Sequence, residues 1–281
     1  MNTLDLIDYA SSIGLDGLQL GDAVFESHDP GYLKEVRAHA DSKKMFLEYN
    51  FSLDIGKKKI GKEFDLTKNI EISSILGADI AKVGLDLVRP RPLMGTRFIP
   101  EVKSQLEKAI RLLKAGLPLL REKGIYLAIE NHCDTFSEEI LWVLDQLNDS
   151  HVGACIDTSN AMYVMEDPLV ALNNLAPRAF TNHFRDDIIL GRPWGFEYTG
   201  VAVGEGDVNM NLVYNIIREK SSMRRIIIET AMQFPLAPEK KESTCSGEKR
   251  ALLDSIEYCR NILGIKREEA DGEKGLPTNI S

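Results

Sequence analysis

The feature that most constrains the fold is a regular alternation of short β-branched or apolar runs with longer stretches of helical period, beginning near residue 15. This alternation is typical of repeated strand–helix units around a parallel sheet. The runs predict seven strands, at 17–21, 45–51, 79–85, 125–131, 152–158, 179–185 and 225–230. The predicted helices lie at about 2–13, 31–42, 64–76, 99–123, 136–148, 168–175, 209–220 and 246–263.

Eight helices and seven strands nearly complete a TIM-type (β/α)8 barrel, an α/β fold that commonly forms one domain of about 250 residues. The chain has 281 residues, and it opens with a helix where the barrel would have its first strand. We therefore predict an α/β barrel that lacks the first strand. Either the chain is shorter than its relatives, or another segment covers the gap. We expect one domain over residues 1–265 and a polar tail over 266–281.

Composition excludes several classes of protein. Lys and Arg number 34 against 43 Asp and Glu, and the net charge of −9 makes nucleic acid an unfavourable partner. Apolar runs are much shorter than the ~18 residues of a membrane span. The first ten residues lack the basic start and apolar stretch of a secretory signal, and the four cysteines form no CxxC pair. We expect a cytoplasmic protein with reduced thiols and no membrane contact.

Four of the late predicted strands end in a residue type that binds metals. The segments are IYLAIENH, VGACIDTSN, FTNHFRD and RIIIET, and they carry Glu130, Asp157, His183 and Glu229. Catalytic groups of α/β barrels come from these carboxyl ends because all strands open onto one mouth. If the three acids point inward, the apolar residues of their strands face the helices. The strand at 179–185 fits less well, because Asn182 would share the outer face with two phenylalanines.

Three carboxylates and one imidazole favour Mn²⁺, with Mg²⁺, Co²⁺, Fe²⁺ or Zn²⁺ as alternatives, over a structural zinc site built on thiolates. One divalent ion can bind neighbouring oxygens of a hydroxy-ketone and stabilise the enediolate that forms when the adjacent C–H loses its proton. A single strand-end Glu is more often a surface residue, and a single buried His is more often only hydrogen-bonded. Four such residues at four strand ends favour a catalytic metal site.

The same segments resemble the sugar phosphate isomerase/epimerase superfamily of xylose-isomerase-like barrels. The resemblance rests on AIENH, SEEILWVLDQLNDSHVGACIDTSN, NHFRD, GEGDVN and IIIET, and runs in order from about residue 4 to 263. It implies that Glu130, Asp157, His183 and Glu229 are the metal ligands. It also implies that Glu130 and Glu229 are an acid/base pair on opposite faces of a bound sugar. Arg185 stands where the family has a basic residue near the substrate.

Further residues are candidates for substrate binding. Asn160 occupies a position where several epimerases of this kind have a His, and an amide binds a hydroxyl but cannot carry a proton at neutral pH. His132 follows Glu130 by two residues, and it suits either a general base at the mouth or a loop residue that fixes a neighbour. Trp194, Phe196 and Tyr198 alternate in a predicted loop, either to stack on a sugar ring or to form a small satellite core.

We therefore expect a metal-dependent isomerase or epimerase of a small sugar or related keto-polyol. The alternative is a dehydratase or other lyase that uses the same metal site, because inosose and dehydroshikimate dehydratases share the resemblance. A nuclease of this fold would need more than the five histidines present. A barrel kept only for binding is a further alternative. The expected partner is a small carbohydrate, and the sequence leaves a homo-oligomer open.

Overall fold

The computed structural model describes residues 2–56, 64–90, 95–230 and 241–266. Eight α-helices lie in these ranges: α1 Thr3–Ser12, α2 Pro30–Ser42, α3 Leu66–Leu76, α4 Pro100–Lys123, α5 Ser137–Leu147, α6 Pro168–Leu175, α7 Met210–Lys220 and α8 Lys241–Asn261. All eight correspond to predicted helices. The predicted tail at 266–281 lies outside the described residues except for Lys266, so it stays a prediction, as does the single domain over 1–265.

Six parallel strands form a curled sheet in chain order. They are β1 Gly17–Gly21, β2 Phe46–Ser52, β3 Ile80–Gly84, β4 Tyr126–Glu130, β5 Val152–Asp157 and β6 Ala179–His183. Each confirms a predicted strand within two residues at either end. Helix α1 precedes β1 directly, as predicted. The fold is thus the α/β barrel type that the alternation indicated, with β1 and β6 at the two ends of the hydrogen-bonded order.

The seventh predicted strand, 225–230, runs beside β6 without forming a regular ladder. Its backbone forms a parallel bridge, through Ile228, with Phe184, the residue that follows β6. The Asn182 amide supplies two further bonds: its nitrogen donates to the Arg225 carbonyl (2.7 Å), and its oxygen accepts from the Ile227 N–H (3.2 Å). A polar side chain therefore replaces part of the backbone ladder. This role explains why Asn182 interrupts the apolar face of the β6 sequence.

A β-hairpin that the sequence analysis missed follows β6. Strands β7 (Asp186–Arg192) and β8 (Gly195–Val201) pair antiparallel as a separate two-stranded sheet. The prediction of a loop carrying three aromatic residues is wrong here. Trp194 lies in the turn, and Phe196 and Tyr198 lie on β8. Alternation of large side chains is itself a strand signal, and this signal was assigned to the wrong kind of segment.

The core lies between the sheet and the surrounding helices. On β4, Leu127 and Ile129 belong to the main apolar core, whereas Ala128 belongs to a small separate cluster with Ile80 and Cys155. Side chains of alternate parity therefore face opposite sides of the sheet, as the period-2 pattern predicted. The inward set places Glu130 and the other strand-end groups at the mouth. No helix in the described parts of the chain combines the length and apolarity needed to cross a bilayer.

Candidate metal centre

The four predicted metal ligands come together at the carboxyl ends of the late strands. Glu130 ends β4, Asp157 ends β5 and His183 ends β6, while Glu229 follows the bridge beside β6. Parallel registry sets the first three side by side, since Glu130 pairs with Cys155, and Asp157 pairs with His183. One ligand atom from each of the four residues lies within 4.8 Å of all the others. The convergence expected from the sequence is therefore present in the fold.

The Nδ1 atom of His183 lies at the centre of this cluster. It is 2.8 Å from Oε1 of Glu130, 2.9 Å from Oε2 of Glu229 and 3.9 Å from Oδ2 of Asp157. The other ring nitrogen, Nε2, lies 2.7 Å from Oε1 of Gln19 on β1. The imidazole thus presents one nitrogen to the carboxylates and the other to an amide.

The electrostatics of the cluster require a positive charge at its centre. Burial lowers the pKa of His183, but the carboxylates of Glu130 and Glu229 outweigh burial and raise that pKa to about 10. Burial raises the pKa of Asp157 to about 6, against the opposing effect of Arg185. For Glu130, His183 and Lys82 together outweigh burial, so its pKa lies below the ordinary value. A protonated imidazole supplies the charge here, and a bound cation would supply it equally well.

A buried oxygen of Asp157 without a hydrogen-bond donor indicates that the cluster fits a divalent ion. Oδ1 of Asp157 accepts hydrogen bonds from the backbone N–H groups of Ser159 (2.9 Å) and Asn160 (2.7 Å). Oδ2 of Asp157 is buried and accepts no hydrogen bond from the described residues. A buried oxygen without a donor is costly unless a cation satisfies it. Three carboxylates with one imidazole also match the ligand preferences of Mn²⁺, Mg²⁺, Co²⁺ and Fe²⁺.

Two residues that sequence reasoning missed adjoin the cluster. Lys82 on β3 is buried and forms an ion pair with Oε2 of Glu130, and Gln19 on β1 contacts His183. A lysine inside the apolar run ADIAKVGL is a signal that the sequence analysis passed over. Gln19 lies in a short strand, GLQLG, where one polar side chain does not by itself predict a function.

Arg185 and Asn160 lie beside the cluster on the side of Asp157. Nη1 of Arg185 is 3.9 Å from Oδ2 of Asp157 and donates to Oδ1 of Asn160 at 3.2 Å. The Nε atom of Arg185 lies 3.2 Å from Oδ2 of Asp187. Both predicted substrate-binding residues are therefore close to the candidate metal ligands.

His132 lines a cavity of about 270 Å³ at the mouth, together with Glu130 and Lys82. Its Nδ1 lies 3.8 Å from Asp134 and 4.0 Å from Asp86. The structure thus places His132 at the same mouth as the cluster, with two carboxylates close to its ring.

The structure does not bring Trp194 to the cluster. Its side chain is 100% exposed in the turn between β7 and β8. A fully exposed ring packs against none of the described residues, so none of them holds it over the mouth.

Comparisons with known proteins agree with this architecture. The 3-oxo-isoapionate decarboxylase of Pectobacterium atrosepticum is 21% identical over 256 residues, which are 90% of this chain and 85% of the decarboxylase.

Three solved structures are similar in fold. A D-psicose 3-epimerase, solved in the presence of D-fructose, has a TM-score of 0.68 at 12% identity and covers 94% of this chain and 95% of its own. The probable 3-DHS dehydratase AsbF of Bacillus anthracis has a TM-score of 0.60 at 13% identity, covering 93% and 94%. A xylose isomerase-like TIM barrel protein of Mycobacterium smegmatis in complex with magnesium has a TM-score of 0.62 at 15% identity, covering 89% of both chains.

These structural likenesses show a shared barrel that serves epimerases and dehydratases alike. A family model described as the xylose isomerase-like TIM barrel matches residues 7–261, which is most of the chain. The chain therefore belongs to the xylose isomerase-like TIM barrel family.

Proposed function

We propose that the protein is a divalent-metal-dependent isomerase or epimerase that acts on a small sugar or related keto-polyol by removing a proton next to a carbonyl group. The observation that supports this most directly is the convergence of Glu130, Asp157, His183 and Glu229 within 4.8 Å. A D-psicose epimerase and a magnesium-bound protein of this fold agree with the proposal. Mn²⁺ is the ion we favour from the donor set.

Glu130, Asp157, His183 and Glu229 would hold the divalent ion, whose positive charge would stabilise the negative charge that develops when the C–H bond breaks. Glu130 and Glu229 carry the proton in our proposal. One carboxylate takes it from carbon while the C–H electron pair moves toward the carbonyl oxygen. Return of the proton to the neighbouring carbon, with transfer of the hydroxyl proton from one oxygen to the other, gives an isomer. Donation of a proton by the second carboxyl group to the opposite face of the same carbon gives an epimer.

The remaining residues at the mouth would bind and orient the substrate. Asn160 and Arg185 supply an amide and a guanidinium beside Asp157, and His132 lines the cavity next to Glu130. Amide, guanidinium and imidazole groups all form hydrogen bonds with hydroxyl oxygens. A cavity of about 270 Å³ suits a small polyol.

A lyase is the second candidate, and His132 is the observation that favours it. Its ring lies in the cavity with Asp86 and Asp134 close to Nδ1, an arrangement that can orient an imidazole toward a leaving group. The similarity to a 3-oxo-isoapionate decarboxylase and to a probable dehydratase agrees with this alternative. Replacement His132→Asn separates the two candidates. An isomerase would keep most of its proton exchange, whereas a lyase would lose elimination.

The test is incubation of the purified protein with ketoses, inososes and keto-glycosides in deuterated water containing Mn²⁺. Deuterium in the recovered substrate or its isomer supports the proposal, and loss of water, carbon dioxide or an aglycone supports the lyase. The Glu229→Gln variant is the control, because it removes one of the two proposed proton carriers and should slow formation of the isomer or epimer. A protein that takes up no divalent ion at micromolar concentration would contradict both candidates.

A further inference from the structure

A short chain of polar side chains leads from the candidate metal centre into the barrel interior. Nε2 of His183 lies 2.7 Å from Oε1 of Gln19, and the Gln19 amide nitrogen donates to Oε2 of Glu48 at 3.1 Å. The Glu48 side chain is fully buried. Since β1 and β6 are the two ends of the strand order, the contact between Gln19 and His183 crosses the interior of the curled sheet.

The surroundings of Glu48 determine which way the Gln19 amide points. Glu48 accepts a hydrogen bond from the Thr181 hydroxyl at 2.8 Å, and Nη1 of Arg225 lies 3.3 Å from its other oxygen. A carboxylate accepts hydrogen bonds and donates none, so the end of the Gln19 amide that faces it must be the NH₂ group. The amide oxygen then faces His183, where it can only accept.

An acceptor at 2.7 Å from Nε2 requires that Nε2 carry the ring hydrogen. In an imidazole with one hydrogen, the lone pair is then on Nδ1. Nδ1 is the atom within 2.8 to 3.9 Å of the three carboxylates. In the metal-free protein Nδ1 carries a hydrogen as well and donates it to these carboxylates. If a cation among the carboxylates replaced that hydrogen, the ring would keep its one hydrogen on Nε2 and present the Nδ1 lone pair to the ion.

We propose that Gln19, held by Glu48, is a positioning residue that keeps the hydrogen of His183 on Nε2 and leaves Nδ1 available as a metal ligand. This inference rests on the metal centre of the proposed function. Partners of this kind orient metal-bound histidines and raise their basicity, and their loss typically costs about 10- to 100-fold in metal affinity.

Metal titration of the full-length metal-free protein tests the inference without any activity measurement. We expect Gln19→Met to weaken Mn²⁺ binding by about 10- to 100-fold, because a side chain of similar length then offers no acceptor. Glu48→Gln should give an intermediate loss, because an amide at position 48 lets the Gln19 amide reverse. Gln146→Met makes the same chemical change on an exposed face of α5 and should leave the affinity unchanged.

A spectroscopic readout distinguishes positioning from general loss of structure. In the ¹⁵N-labelled, Mg²⁺-loaded wild type, we expect the His183 ring to show a hydrogen on Nε2 and none on Nδ1, with the signals assigned through His183→Asn. The opposite tautomer, or Mn²⁺ binding by Gln19→Met and Glu48→Gln as tight as wild type, would overturn the inference while leaving the proposed function intact. A wild type that takes up no divalent ion would overturn both. If Gln19→Met fails to fold, the isosteric Glu48→Gln variant decides.

Discussion

Replacement of Asp157 by Asn should stabilise the metal-free protein while weakening its metal centre. The substitution is nearly isosteric, and the Asn side-chain oxygen can still accept from the N–H groups of Ser159 and Asn160, which Oδ1 accepts now. What changes is Oδ2, the buried oxygen that lacks a hydrogen-bond donor. Asn puts an uncharged NH₂ group there, beside the carboxylates of Glu130 and Glu229.

The magnitude follows from the pKa of Asp157. Burial raises this pKa from 3.8 to about 6, and the difference, at ~1.4 kcal/mol per pH unit, corresponds to about 3 kcal/mol. The pKa of Asp157 is higher in the folded than in the unfolded state. Its protonated form therefore contributes its full stabilisation below about pH 4, and this stabilisation is lost as pH rises through 6. Above pH 7, Asp157→Asn should therefore be about 2–3 kcal/mol more stable than wild type without metal, and the advantage should vanish near pH 4.

Urea unfolding followed by tryptophan fluorescence measures this difference, with chelator present, at pH 4, 6 and 8. The same series with Mn²⁺ at 100 times its dissociation constant should add ~2.7 kcal/mol to the wild type and much less to the variant. The difference in unfolding free energy between the variant and the wild type would then narrow or reverse. A metal-free variant that is less stable than wild type at pH 8 would refute the claim that Asp157 is held as an unsatisfied buried charge.

Three further changes test other parts of the structure. Lys82→Met removes a buried ammonium beside the carboxylate cluster, so Mn²⁺ affinity measured by calorimetry should rise about tenfold as repulsion between cations is lost; a weaker affinity would contradict this. Gly206→Ala places a Cβ against Oδ1 of Asp186 and should cost about 1–3 kcal/mol in urea unfolding, whereas the Cβ of the control Gly191→Ala meets no described atom within 4 Å. Trp194→Ala should change the unfolding free energy by less than ~0.5 kcal/mol and leave KM unchanged, and a raised KM would place the exposed ring on the substrate.

Local signals in the sequence predicted most of the fold. Strands and helices were recognisable because buried parallel strands are short apolar runs, whereas apolar residues in helices recur with the helical period of about 3.6 residues. Gly77 and Gly124 end α3 and α4 in the left-handed conformation, with φ of 65° and 64°, as glycine after a helix predicts. The segment 225–230 follows the same apolar pattern, but its pairing depends on the Asn182 side chain. No periodicity contains that information.

Three of the four metal-binding candidates were predictable because each stands at the carboxyl end of its own strand, and Glu229 ends an apolar run of the same kind beside β6. The apolar run preceding Glu130 marks both the strand and the point where it ends, and the run preceding Asp157 repeats this pattern. Parallel pairing then brings the ends of neighbouring strands to one edge. A metal-binding residue type at the end of several successive strands is therefore enough to predict the cluster.

Lys82 and Gln19 could not be predicted in this way, because neither ends its strand and their roles depend on contacts with other strands. Gln19 is 164 positions from His183 in the chain, and Lys82 lies within β3, where it meets Glu130 of the neighbouring β4. Inward parity alone makes each a candidate for the interior, where a polar side chain needs a partner. A buried polar residue at an inward position of such a barrel is therefore best interpreted by identifying the strand-end group that it contacts. That contact depends on how the sheet curls, which the strand order alone does not give.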